Sequence, residues 1–136
     1  MNDEANAPVL FGKDLNAALG IEIDEVEIGR VTGHFEVDDR VKQPFGIVHG
    51  GAHAAIAETL ASLGTFRAVA EEGKVAMGMS NQTQFLRAAS SGIVRAEAIA
   101  IHRGRTTWVW DVTMRDEDDR DLAVCRMTIA VREKRV

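Results

Sequence analysis

Between Gly50 and Gly64 the chain runs Gly-Gly-Ala-His-Ala-Ala-Ile-Ala-Glu-Thr-Leu-Ala-Ser-Leu-Gly, and Glu58 is its only carboxylate. Good helix formers dominate after the glycine pair, so the run predicts an α-helix from Gly50 with Gly64 as its C-terminal stop. A helix with so few polar positions needs burial on most sides. The rest of the fold has to wrap around it.

Downstream of Lys74 the pattern is extended throughout, with strands expected over 75–86, 92–102, 105–115 and 122–132. Thr106, Trp108, Trp110, Val112 and Met114 alternate with Thr107, Val109, Asp111, Thr113 and Arg115, while Ala123, Cys125, Met127, Ile129 and Val131 share a face. The acidic run Asp116 to Asp119, with Asp121, reads as a solvated turn tip. Upstream, 9–19 suggests a short amphipathic helix ending at Gly20, and 21–28 and 31–37 suggest two strands. The stretch from Asp38 to Phe45, with Pro44, reads as a loop. The links between strands are short, which requires antiparallel pairing. The economical architecture is α+β, a curved antiparallel β-sheet wrapped around a long central α-helix. A chain of 136 residues supports one such core, so residues 1–136 read as a single domain.

Net charge is −5, which disfavours bulk nucleic-acid binding. Residues 1–86 hold 6 basic and 13 acidic side chains, and residues 87–136 hold 10 and 8. The arginines of the second half suit either an ordinary solvated surface or a small anionic ligand such as a phosphate. No apolar run reaches the ~20 residues that cross a bilayer. The acidic start Met1 to Asn6 is unlike a targeting signal, and the lone Cys125 excludes an intrachain disulfide and reads as packing. The expectation is a cytoplasmic protein with neither membrane nor nucleic acid as partner.

A helix that opens on paired glycines exposes free backbone N–H groups, and its dipole favours negative charge there. Glu58 stands among Ala54, Ala55, Ala57 and Ala61 with no basic neighbour on the helix. Its carboxylate is expected to be buried, which is costly without a partner, so it points to chemistry. An oxyanion site plus a carboxylate suggests acyl transfer. Eight residues of helix separate Gly50 from Glu58, however, or ~12 Å along the axis. One substrate meets both only if two copies of the helix run antiparallel, Gly50 of one chain facing Glu58 of the other. That predicts a dimer with two equivalent shared sites. His49 and His53 have the spacing of helical zinc ligands, yet Glu58 is not between them and His49 falls just before the first turn. No metal is expected; His53 reads as a pocket or interface residue, and Trp108 and Trp110 as core or interface.

From about residue 20 onward the chain resembles the hotdog-fold acyl-CoA thioesterases, closest to the glutamate-type 4-hydroxybenzoyl-CoA thioesterases. The likeness rests on Gly46-x-Val48-His49-Gly50-Gly51-Ala52 followed by Ala57-Glu58, then Ser80-Asn81, Phe85-x-Arg87 and Val94-Arg95-Ala96-Glu97-Ala98. Thr106-Thr107-Trp108-x-Trp110-Asp111-Val112 and Ala130-Val131-Arg132 complete it. The resemblance implies a hotdog fold and hydrolysis of an aromatic, 4-hydroxybenzoyl-like acyl-CoA to acid and CoA. The Gly50 amide would polarise the thioester carbonyl, with Gly51 beside it. Glu58 of the partner chain would act as nucleophile or general base. Gln43 would lie near the reacting carbonyl and thiol, Ser62 would help hold the water, and His49 would steady the loop. Arg87 and Arg135 would meet CoA phosphates with Thr106 and Thr107 nearby, and Arg105 stands where relatives have a small polar residue. The family uses no cofactor beyond the CoA of its substrate and usually assembles dimers into tetramers. A 1,4-dihydroxy-2-naphthoyl-CoA hydrolase matches equally well around Glu58. A non-catalytic acyl-CoA binder is the rival of a different class, and a hotdog hydratase is disfavoured because it pairs a histidine with an acid at other positions.

Overall fold

The computed structural model describes residues 12–135. Helix α1 spans Leu15–Leu19. It starts where the Asp14 side chain accepts the Ala17 amide at 3.0 Å and stops at Gly20, whose φ of 70° ends a helix at no steric cost. The amphipathic helix expected over 9–19 is therefore shorter. Gly12 to Asp14 form a turn, and 9–11 lie outside the described residues. Strands β1 (Glu22–Glu27) and β2 (Arg30–Glu36) form a hairpin. A loop with a 3-10 turn at Asp39–Val41 leads into α2, Gly50–Val69. Strands β3 (Lys74–Phe85), β4 (Ile93–Arg103), β5 (Thr107–Arg115) and β6 (Asp121–Glu133) follow. The six strands form one sheet in the order β1-β2-β4-β5-β6-β3, each pair antiparallel. Helix α2 touches every strand, so the sheet does wrap the helix.

Two expectations need correction. The first is Gly64, which is not a stop: α2 continues to Val69, passes into a 3-10 turn at Ala70–Glu72, and ends at Gly73 with φ 72°. Gly64 is small because Trp110 lies against it. A Cβ there would stand 2.5 Å from Trp110 Cη2 and 2.8 Å from Val31 Cγ2. One residue on, the buried Thr65 hydroxyl accepts the Trp110 indole N–H at 2.9 Å and donates to the Ala61 carbonyl at 2.9 Å. The tryptophan thereby enters the core with its one polar atom satisfied.

The second correction concerns the link 86–92. It is short, yet β3 and β4 do not pair: β4 pairs with β2, and β3 takes the free edge beside β6. A short link sets relative direction but not adjacency when it can cross the end of the sheet. This one is pinned as it crosses, with the Leu86 and Arg87 amides on the Leu122 carbonyl and the Val48 amide on the Ala89 carbonyl.

The core is as the alternation predicts. Phe35, Ile56, Leu60, Trp110, Met114, Leu122, Met127 and Ile129 are fully buried, and β5 buries every second residue from Trp108 to Met114. On β3 the ladder to β6 shifts between Gly78 and Ser80, so Met79 is an extra residue. A bulge of this kind reverses the parity of side chains on either side of it.

Candidate active site

At the start of α2, the His49 side chain accepts the Gly51 amide at 2.7 Å through Nδ1, and the His49 carbonyl accepts the Ala52 amide at 2.9 Å. Among the described residues the Gly50 amide carries no hydrogen bond, so one donor of the first turn is unspent. A Cβ at Gly50 would stand 2.6 Å from the Phe85 ring, so a side chain there would have to displace that ring. Gln43 sits in the preceding turn: its amide donates to the Ile47 carbonyl at 2.9 Å and its Oε1 accepts the Phe45 amide. Gln43, His49, Gly50, His53, Phe85 and Arg87 line one concavity of about 640 Å³.

Glu58 lies elsewhere. With Gly51, Thr59, Ser62, Leu63 and Asn81 it lines a second concavity of about 670 Å³. Its carboxylate is exposed, which corrects the expectation of a buried one. The sheet covers the Ala52, Ile56, Ala57, Leu60 and Ala61 face of α2 and leaves the Ala54, Glu58, Ser62 side open in the single protomer. Ser62 shares that side with Glu58, as their spacing predicts. The open side is the one that a second copy of α2 would have to face.

Asn81 on β3 is the residue that sequence reasoning missed. Its Nδ2 donates to the Ala54 carbonyl at 2.9 Å and to Glu58 Oε1 at 3.4 Å. Its Oδ1 accepts the Thr83 hydroxyl at 2.6 Å and the Cys125 thiol at 3.4 Å. Burial pushes the Cys125 thiol up, keeping the proton it donates. Gly78 faces the same carboxylate, since a Cβ there would stand 3.6 Å from Glu58 Cδ. Three positions apart, Gly78 and Asn81 would point to opposite faces of a regular strand; the Met79 bulge turns both toward α2. The one available signal was Asn81's place in the Ser80-Asn81 motif. His53 is buried between Phe35 and Phe85 at 6.0 and 6.4 Å, with Nδ1 unpartnered among the described residues, and burial lowers its pKa to about 4.

The cationic set is divided. Arg87 leaves β3 beyond Phe85, which pairs with Ala123, whereas Thr107 pairs with Ala130. Those positions are roughly 23 Å apart along β6. At the far end the Thr106 carbonyl accepts the Val131 amide and Arg132 Nη1, both at 2.9 Å, and Arg105 and Arg135 are exposed. Arg87, Arg105 and Arg135 take no part in the ion pairs of the described residues, whose arginines are Arg30, Arg40, Arg115, Arg120 and Arg126. One protomer thus brings neither Gly50 to Glu58 nor Arg87 to Thr106.

Residues 45–123 match the Thioesterase superfamily. The chain is 39% identical over 121 residues to a 1,4-dihydroxy-2-naphthoyl-CoA hydrolase of Listeria monocytogenes, covering 89% of this chain and 98% of that protein. It is 40% identical over 115 residues to the proofreading thioesterase EntH of Klebsiella pneumoniae, covering 85% and 83%. Among solved structures, a Haemophilus influenzae thioesterase superposes with a TM-score of 0.85 at 36% identity, covering 91% of this chain and 86% of that one.

Proposed function

Since the chain belongs to the Thioesterase superfamily and carries its hotdog fold, we propose that it hydrolyses an aromatic acyl-CoA thioester, of the 4-hydroxybenzoyl type, to free acid and CoA. The catalytic site in this reading is shared by two protomers. The unspent Gly50 amide of one donates to the thioester oxygen and stabilises the charge that develops there. The partner's Glu58 either attacks the carbonyl carbon or takes a proton from the attacking water. Gln43 and His49 flank the Gly50 amide, and Ser62 shares the water side with Glu58. The leaving CoA carries its phosphates to Arg87 from one protomer and to Arg105 and Arg135 from another, with the Thr106 and Thr107 hydroxyls nearby. No cofactor is needed beyond the CoA of the substrate, and a cytoplasmic setting goes with this reading.

The observation that carries the reading is a carboxylate with no basic partner among the described residues, exposed on the open side of the helix whose first turn holds an amide donor unspent among those residues. Both groups serve one substrate only across a twofold axis. β3 supplies the seam: it is a twelve-residue edge strand with Met77, Met79 and Phe85 exposed and Lys74 its only charge. The opposite edge, β1, is short and blunted by Glu22, Asp24, Glu25 and Glu27, as a solvent-facing edge should be. Two copies paired antiparallel along β3 run their α2 helices antiparallel. A dimer of such dimers is the tetramer we propose.

A thiol-release assay over benzoyl-, 4-hydroxybenzoyl-, naphthoyl- and fatty acyl-CoA tests the substrate class. The 39% identity to the Listeria hydrolase favours, as a second reading, a 1,4-dihydroxy-2-naphthoyl group, and the same panel separates the two. Glu58→Gln is expected to lower kcat on the order of 10²- to 10⁴-fold with the fold intact. Wild-type kcat in that variant would remove the assignment. Binding of the CoA ester without thiol release would leave a binding protein.

A further inference from the structure

We propose that Asn81 is a positioning residue for Glu58, a clamp that ties the carboxylate-bearing turn of α2 to β3 and orients the carboxylate. The inference rests on the catalytic reading of Glu58 and extends it to the residue that aims it.

The amide of Asn81 can face only one way. Oδ1 receives two donors, the Thr83 hydroxyl at 2.6 Å and the Cys125 thiol at 3.4 Å. Nδ2 faces two acceptors, the Ala54 carbonyl at 2.9 Å and Glu58 Oε1 at 3.4 Å. Flipping the amide would set its oxygen against a carbonyl and a carboxylate and lose both donations. Thr83, two residues along the strand, and Cys125, on the neighbouring strand directly opposite Thr83, therefore lock the donor in place. The Ala54 carbonyl lies one turn before Glu58 on α2, so a single NH₂ group grips both the helix and its side chain. With Oε1 engaged by Asn81, Oε2 is the oxygen left for the water or the carbonyl carbon. Gly78 lies beside that oxygen, as a Cβ there would stand 3.7 Å from Oε2, in ordinary contact. The device exists because the bulge at Met79 turns Gly78 and Asn81 to the same face.

The test is steady-state kinetics with 4-hydroxybenzoyl-CoA on Asn81→Ala, on the isosteric Asn81→Asp, on Glu58→Gln, and on Glu58→Gln combined with Asn81→Ala. Asn81→Ala is expected to lose roughly tenfold in kcat, the loss of one hydrogen bond to a charged group, with KM within about twofold of wild type, and Asn81→Asp, which also sets a second carboxylate against Glu58, at least as much. In the Glu58→Gln background, Asn81→Ala is expected to add no further loss, because it acts through the carboxylate. Thr83→Val, which frees Oδ1 of its stronger donor, should fall between wild type and Asn81→Ala. Slow Glu58→Gln alongside wild-type kcat in both Asn81 variants overturns this inference alone, and so does an undiminished Asn81→Ala effect in the Glu58→Gln background. A fast Glu58→Gln overturns the underlying catalytic reading and this inference with it. If Asn81→Ala fails to fold, Thr83→Val decides, since it loosens the clamp without adding a charge: wild-type kcat there overturns the inference.

Discussion

His53 places an imidazole 3% exposed between two phenylalanine rings and leaves its Nδ1 without a hydrogen bond among the described residues. An unmet buried polar atom costs ~1–3 kcal/mol and an unpaired buried charge far more, so the position is tolerated only while the ring is neutral. Burial lowers its pKa from 6.5 to about 4. Between those values the unfolded chain binds the proton and the folded chain does not, so stability is complete above pH 6.5 and falls as the pH drops toward 4. The loss amounts to ~3 kcal/mol. Urea unfolding at pH 7.5, 5.5 and 4.5 should show it, and His53→Leu should flatten this part of the profile. An equal slope in wild type and variant would count against burial as the cause. The sequence marked His53 as a pocket or interface residue; only the packing of Phe35 and Phe85 around it shows that the ring must stay uncharged. Glu58 has the reverse history. Its isolation among alanines singled it out, but burial was the wrong inference, because the sheet covers one side of α2 and not the other.

At the scale of elements, helix α2 and strand β3 hold the discrepancies. Helix propensity alone favours alanine over glycine by ~1 kcal/mol in a helix interior. Gly64→Ala should nevertheless destabilise the protein, because the new methyl would lie 2.5 Å from Trp110 Cη2 and 2.8 Å from Val31 Cγ2, both inside the core. Overpacking of that kind costs ~1–3 kcal/mol, which outweighs the propensity gain. Denaturant midpoints compare the two proteins directly, and a Gly64→Ala variant as stable as wild type would mean that Trp110 yields easily. The strands were legible because alternation marks them, and β5 buries its residues in the register that its tryptophans announce. The bulge at Met79 was not. An extra residue changes nothing in composition, and its effect, which is to aim Asn81 at Glu58, exists only once β6 fixes the ladder.

For the whole molecule the decisive contrast is between two sheet edges. β1 carries four acidic residues in six, while β3 exposes Met77 and Met79 along its length. Replacing both methionines with lysine would set like charges against each other across the proposed twofold axis. We expect a folded 14.8 kDa monomer by sedimentation, with native circular dichroism and turnover lost. A monomeric variant with full turnover would refute the shared site. On this scale the sequence argues for the proposed shared site by elimination: a free amide and a carboxylate ~12 Å apart on one rigid helix cannot serve one carbonyl.

By itself, then, the sequence determined the elements, their order, the helix that the sheet must wrap, and the two groups on that helix to which the proposed thioester chemistry is assigned. These follow from local periodicity and from the rarity of a charge on an apolar helix, and both can be read along the chain. The tertiary structure alone decided which strands neighbour each other, which side of α2 stays open, why Gly64 is small, and that Asn81 reaches Glu58. Each of these depends on atoms brought together from distant parts of the chain, where one bulged residue or one ring's position sets the outcome.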